Sequence, residues 1–151
     1  MNIKIRSFTK TDAKAASHII TRNLVEINCR DYPIEVIAFM KSLYTADYLI
    51  DTMNKRYMVV ALDKDEVIGI SALEDNVIYT VFVNPDYHGK GIGAMLMKEI
   101  ECYALNKGIN KVILYASLSA YEFYSKLGYH KTGEAEDKNL GKAYMMEKEL
   151  S

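Results

Sequence analysis

Charge of one sign is missing from this sequence: 19 Lys and Arg stand against 20 Asp and Glu, a formal net charge of −1. So even a balance excludes electrostatic capture of nucleic acid or of an acidic membrane as the main business of the chain, and any anion site must be local. Cysteine is scarce. Cys29 and Cys102 lie far apart and form no CxxC pair, which excludes a zinc framework or a dithiol redox motif and suits a reducing cytosol. Long apolar runs are absent too, since stretches such as Tyr57 to Leu62 hold about six residues against the ~20 of a membrane-crossing helix. The start, Met1-Asn2-Ile3-Lys4-Ile5-Arg6, alternates charge with isoleucine and carries no apolar signal region, so the chain is expected in the cytoplasm. No internal repeat, low-complexity tract or Gly/Pro/Ser-rich linker divides the 151 residues, which read as one domain spanning 1–151.

What is present is apolar residues, 50% of the chain, in patterns that change period along it. Ile3, Ile5 and Phe8 alternate as a strand, and Thr9 to Asp12 offer turn and N-cap residues. Ala16, Ile19, Ile20, Leu24 and Ile27 recur at steps of three and four on one face of a helix from Ala13 to Ile27. Asp31-Tyr32-Pro33 breaks the pattern, and residues 34–52 read as helix again, in one or two pieces. Tyr57 to Leu62 and Val67 to Leu73 form a hairpin around Asp63 to Glu66. Val77 to Val83 is almost wholly β-branched or aromatic, as expected of a central, buried strand. A helix over about Gly91 to Lys107 stops at Gly108, where glycine takes the left-handed conformation. Lys111 to Ala116 reads as strand, Ser117 to Leu127 as a short helix, and the remainder as two strands around Gly141-Lys142. The order is mixed α/β (α+β) with a mostly antiparallel sheet.

The densest chemical signal is Tyr87-His88-Gly89-Lys90-Gly91-Ile92-Gly93-Ala94, between the strongest strand and the most periodic helix. Glycines here let successive N–H groups turn toward one anion while the helix N-terminus adds partial positive charge, a cradle for phosphate or pyrophosphate. A glycine turn that merely packs strand on helix is the plainer reading. A Walker A loop fails, because no Ser or Thr follows the lysine in the required frame. The dinucleotide pattern GxGxxG/A fits Gly89, Gly91 and Ala94 literally. Yet it lies mid-chain, with Leu114 and Tyr115 where the acidic ribose ligand belongs.

Val81 to Gly93, together with Ala120-Tyr121-Glu122-Phe123-Tyr124-Ser125-Lys126-Leu127-Gly128-Tyr129, resembles the strand-loop-helix core and the later helix of the GCN5-related N-acetyltransferase (GNAT) family. The resemblance follows element order from Ile3 to Leu150 and is sharp between Val77 and Tyr129. It implies a V-shaped splay beside the central strand, with acetyl-coenzyme A as cosubstrate and no metal. On this pattern Val81, Phe82 and Val83 carry the pantetheine arm, with Val81 and Val83 pairing to it like an added strand and one N–H polarising the thioester carbonyl. His88, Gly89, Lys90, Gly91, Ile92, Gly93 and Ala94 hold the pyrophosphate. Tyr124 protonates the departing thiolate, and Ser117 occupies the place of an asparagine that touches pantetheine in many relatives. His88 stands where Arg or Gln is commoner, which implies weakened or pH-sensitive coenzyme binding, and the fifth strand lacks the glutamate some relatives use as base.

The expected reaction is direct acetyl transfer to a primary amine of a small molecule or peptide, without nucleic acid or membrane. A coenzyme A-binding or sensing module with weak catalysis is the alternative. An alkylamine with a pKa near ~10.4 must lose a proton before attack, and Glu74 and Asp75 are candidate acceptors, with a solvated turn as their plainer role. His18 and His130 have no ligand-spaced partners, so no metal site is expected. Cys29 and Cys102 are expected to be buried rather than acylated. The eight methionines read as core fillers. Substrate choice is expected between Asn28 and Arg56, where aromatic and acidic residues alternate. Nothing sets the oligomeric state, and a homodimer stays open.

Overall fold

The period-two and period-3.6 segments condense, in a computed structural model describing residues 1–151, into seven strands and five helices. They are β1 (Ile3–Ser7), α1 (Ala13–Glu26), α2 (Ile34–Leu43), α3 (Ala46–Thr52), β2 (Tyr57–Asp63), β3 (Glu66–Glu74), β4 (Val77–Val83), α4 (Ile92–Asn106), β5 (Lys111–Ala116), α5 (Tyr121–Lys126), β6 (His130–Asp137) and β7 (Gly141–Glu149). The helical stretch after Pro33 is thus two helices, and the one after Ser117 begins with a 3-10 turn at Leu118–Ala120. No helix is long and apolar enough to cross a membrane.

One sheet orders the strands β1-β2-β3-β4-β5-β7-β6, antiparallel throughout except between β4 and β5. Both of its faces are covered, so β2 reads as an unbroken apolar run: Val59 and Ala61 join one core, Met58 and Val60 the other. On the first face the α4 stripe Ile92, Leu96, Ile100 and Ala104 packs over Ile68, Leu73 and Val112. On the second, Ile20 and Leu24 of α1, Val36 and Ile37 of α2 and Leu49 of α3 cover Ile70 and Ala72.

β4 lies fourth of seven, but the expectation of a fully buried central strand fails along half of it. Parallel pairing with β5 is confined to Val77↔Ile113 and Ile78↔Leu114, after which the two strands part. Only Ile78 and Thr80 of β4 are buried. A bulge sits where they part: the β3–β4 register shifts between Ile70 and Ala72, and Thr80 adopts φ +58°. A β-branched residue rarely tolerates positive φ, so surrounding pairing must enforce it. The side-chain phase slips there as well, with Ile78, Val81 and Val83 on the α4 face and Tyr79 and Phe82 on the other.

Ser71, in β3 beside the register shift, is fully buried, and its Oγ is the one sealed side-chain polar atom without a hydrogen-bond partner. An unmet buried hydroxyl costs about 1–3 kcal/mol. Ser71→Ala is therefore expected to be neutral or stabilising by about 1 kcal/mol in denaturant unfolding, where most buried substitutions destabilise. A clear loss of stability would mean that Ser71 Oγ has a partner.

Both cysteines are exposed, contrary to expectation. Cys29 lies in the turn after α1, its thiol donating to the Val25 carbonyl, and Cys102 is on the outer side of α4. The methionines divide: Met58, Met97 and Met146 are buried, whereas Met1 and Met95 are exposed.

Candidate active site

Where β4 and β5 part, a cavity of about 510 Å³ opens between strand, helices and loops. Every residue that the family resemblance assigned to the site lines it except Lys90, whose ammonium lies 5.4 Å from the Tyr87 ring centroid. Val81, Phe82 and Val83 form one wall. Beyond Ile78 no strand pairs with β4 on the cavity side, so this stretch forms an edge without a strand partner, although the Val83 carbonyl on it is bonded to side chains. Phe82 points the other way, its ring 5.8 Å from that of Tyr44.

The second wall is the turn into α4. Gly89 and Gly91 have φ +78° and +84°, with nothing within 4 Å of where a Cβ would stand, so glycine is needed here for conformation rather than space. Gly93 differs: a Cβ there would lie 2.8 Å from Phe123 Cζ, so its smallness lets α5 approach α4. The first intrahelical bond of α4 is Met95 N–H to Gly91 O, and no side chain caps the helix. The N–H groups ahead of Met95 are left without helical partners, at the positive end of a fifteen-residue helix lining the cavity.

Side chains brace this turn from outside. Tyr87 donates to Asp63 at 2.8 Å, and Arg22 of α1 contacts Asp86 at 3.1 Å and Asn84 at 3.0 Å. The hydrogen bonds and charge of Arg22 hold the Asp86 carboxyl below its ordinary range. His88 is braced likewise: its Nε2 lies 2.8 Å from the Val83 carbonyl, which makes Nε2–H the donor and commits the ring to the end of β4.

The third wall holds Ser117, Ser119, Ala120, Phe123 and Tyr124. Tyr124 is 7% exposed, its ring edge-on to Phe123 and Tyr129, and its hydroxyl bonds to no protein group. That hydroxyl still meets open space, because it is not among the sealed, partnerless atoms. Burial pushes its pKa well above the ordinary tyrosine value, so it stays a proton donor.

Glu74 and Asp75 do not belong to this site. Glu74 pairs with Val77 at the opposite end of β4, and Arg56 Nε holds its carboxylate at 3.0 Å. Asp75, at φ +55°, occupies the turn that follows. No carboxylate lines the cavity, and no group of three or more His, Cys, Asp or Glu could hold a metal ion. The sequence reading missed a fourth wall, Asn23 and Ile27 at the end of α1, which adjoins Asn28, the first residue of the segment expected to choose the substrate. A signal was available, since Asn23 interrupts the apolar stripe three residues after Ile20 and four before Ile27.

The acetyltransferase (GNAT) domain model matches residues 29–150. A peptidyl-lysine N-acetyltransferase, YjaB of Salmonella typhimurium, is 34% identical over 86 residues, which cover 57% of this chain and 58% of that protein. YjaB of Escherichia coli is 30% identical over 57% of each. The chain spans about half the length of these curated relatives. Among solved structures, a GCN5-related N-acetyltransferase from Rhodopseudomonas palustris superposes with a TM-score of 0.90 at 22% identity, covering 99% of this chain and 97% of that one. The PaiA N-acetyltransferase of Thermoplasma acidophilum, in complex with coenzyme A, gives 0.84 at 22% identity, covering 99% and 100%. The splayed strand pair, the uncapped glycine turn and the match over residues 29–150 agree: the chain belongs to the GNAT family of acetyltransferases.

Proposed function

We propose that this domain, residues 1–151, transfers an acetyl group from acetyl-coenzyme A directly to a primary amine. The observation that carries the reading is the meeting, in one cavity, of a strand edge without a strand partner, a helix N-terminus without a cap and the partnerless hydroxyl of a tyrosine whose ring is buried. The residues fit the cosubstrate, since an amide-bearing arm can hydrogen-bond along Val81 and at the Val83 N–H while a pyrophosphate takes the free N–H groups from Gly91 to Ala94. Acetyl-coenzyme A supplies an activated acyl group as a thioester. An N–H of the β4 edge donates to the carbonyl oxygen on which negative charge develops, and being fixed in the strand it needs no reorganisation. Tyr124 gives its proton to the departing sulfur. Lys90 contributes through its backbone alone, and His88 by fixing the turn to Val83. Water accepts the proton of the amine, as no carboxylate lines the cavity.

The peptidyl-lysine N-acetyltransferase relatives make a peptide lysine the first acceptor to try, with small-molecule amines beside it. The exposed free cysteines fit a reducing cytoplasm. Thiol release from acetyl-coenzyme A is measured with lysine peptides, polyamines, amino acids and aminoglycosides; amine-dependent release with a matching mass gain of one acetyl group is expected. Tight coenzyme A binding with no turnover on any amine would make the domain a binding module instead.

A further inference from the structure

The α1 wall has no part in the reading above, yet its chemistry is specific. Asn23 is 6% exposed, and its Nδ2 donates to Ile19 O at 2.9 Å and to Val83 O at 2.8 Å. Two carbonyl acceptors can be served only by the NH₂ end of an amide, so the network itself fixes which end is oxygen. Asn23 Oδ1 receives no hydrogen bond from the protein. It is not sealed, since Ser71 Oγ is the one side-chain polar atom both buried and partnerless, and Asn23 lines the cavity.

The Val83 carbonyl completes the argument. Asn84 N–H donates to Ile68 O in β3 at 2.7 Å, and across a planar trans peptide the Val83 C=O points the opposite way, toward the cavity. A ligand laid along β4 as an added strand would bring a donor to this carbonyl. Both of its lone-pair sites are already taken, by Asn23 Nδ2 and by His88 Nε2 at 2.8 Å. We infer that Asn23 Oδ1 replaces the Val83 carbonyl as the acceptor for an N–H or O–H group of the pantetheine arm of coenzyme A, with Ile27, one turn further along α1, against the arm's apolar carbons. The inference rests on the acetyl-coenzyme A reading.

Calorimetric titration of the intact protein with two probes tests it: coenzyme A, and adenosine 3′,5′-bisphosphate, which carries the nucleotide end without pantetheine. In Asn23→Ala, coenzyme A binding is expected to weaken about tenfold, the loss of one hydrogen bond, while the bisphosphate binds as in wild type. The unchanged bisphosphate affinity also certifies a folded cavity. Equal weakening for both probes would assign Asn23 to holding the turn and overturn the inference, as would no change for either. Should Asn23→Ala not fold, Asn23→Ser keeps a donor to Ile19 O four residues back, offers no acceptor in the place of Oδ1, and carries the same expectation. If wild-type protein binds no coenzyme A at all, the cosubstrate reading falls and takes this inference with it, a result distinct from an Asn23 variant that binds normally.

Discussion

Tyr124→Phe is expected to lower kcat by on the order of 10²–10⁴, the usual contribution of a positioned general acid, and to leave coenzyme A affinity and unfolding midpoint near wild type. The separation is expected because the hydroxyl makes no hydrogen bond within the protein, while the ring, which packs on Phe123 and Tyr129, is retained. Burial raises the Tyr124 pKa above the ordinary value near 10, so the hydroxyl stays protonated through about pH 6–9. Over that range the rate should climb with pH as the acceptor amine, with a pKa near ~10.4, loses its proton, and no alkaline fall should trace to Tyr124. Steady-state kinetics across pH, with coenzyme A titration of the variant, checks both parts. Unchanged kcat would remove Tyr124 from proton transfer; a large loss of coenzyme affinity would make it a packing residue.

Gly141→Ala is expected to cost about 2–5 kcal/mol of stability, the largest effect of any glycine-to-alanine change in the chain. Gly141, at the start of β7, has φ +78°, and a Cβ there would meet Tyr32 ring atoms at 2.8 and 2.9 Å and Val36 Cγ1 at 3.4 Å. The ring cannot swing aside at little cost. Tyr32 is 9% exposed, donates to Lys142 O at 2.6 Å and accepts from Leu118 N–H at 3.2 Å, tying the loop before α2 to both β7 and the start of the α5 region. Backbone strain accounts for about 1–2 kcal/mol and overpacking for a further 1–3. Gly89→Ala and Gly91→Ala carry the first cost alone, because their Cβ positions are open. Denaturant midpoints for the three variants give the comparison, and equal losses would mean that Tyr32 yields.

Much of the chain was readable because its periods are clean. The α1 and α4 stripes mark their buried faces, and Gly108, at φ +82°, ends α4 where the pattern stops. The splay was not readable in the residues themselves. Val77 to Val83 presents an unbroken β-forming run whether or not β5 follows it, and side chains filling both faces conceal the phase slip at Thr80. Glu74 and Asp75 have the plainer role given to them, at the turn between β3 and β4, because they are near β4 in sequence but at the end away from the cavity. His88 was legible as part of the turn but not as a brace, since its partner is a backbone carbonyl five residues earlier. Asn23 could be seen as a polar residue out of place on an apolar stripe, but its reach to Val83 depends on how α1 crosses the sheet.

The break in pairing after Ile78 has a mechanical side. Apart from two residue pairs and the bond from Ile113 N–H to Asn76 O, the β5-β7-β6 ribbon is not sewn to β4 by backbone hydrogen bonds. In backbone hydrogen bonding the sheet is therefore two plates joined along a short line, and what unites them elsewhere is the shared apolar core, where Ile68, Val112, Leu114 and Met146 meet under α4. Any strand-like guest bonded to the Val81–Val83 lip and leaning on Tyr124 would span the gap and act as a splint. Filling the gap would continue the sheet's hydrogen bonding where the chain's own strands stop supplying it.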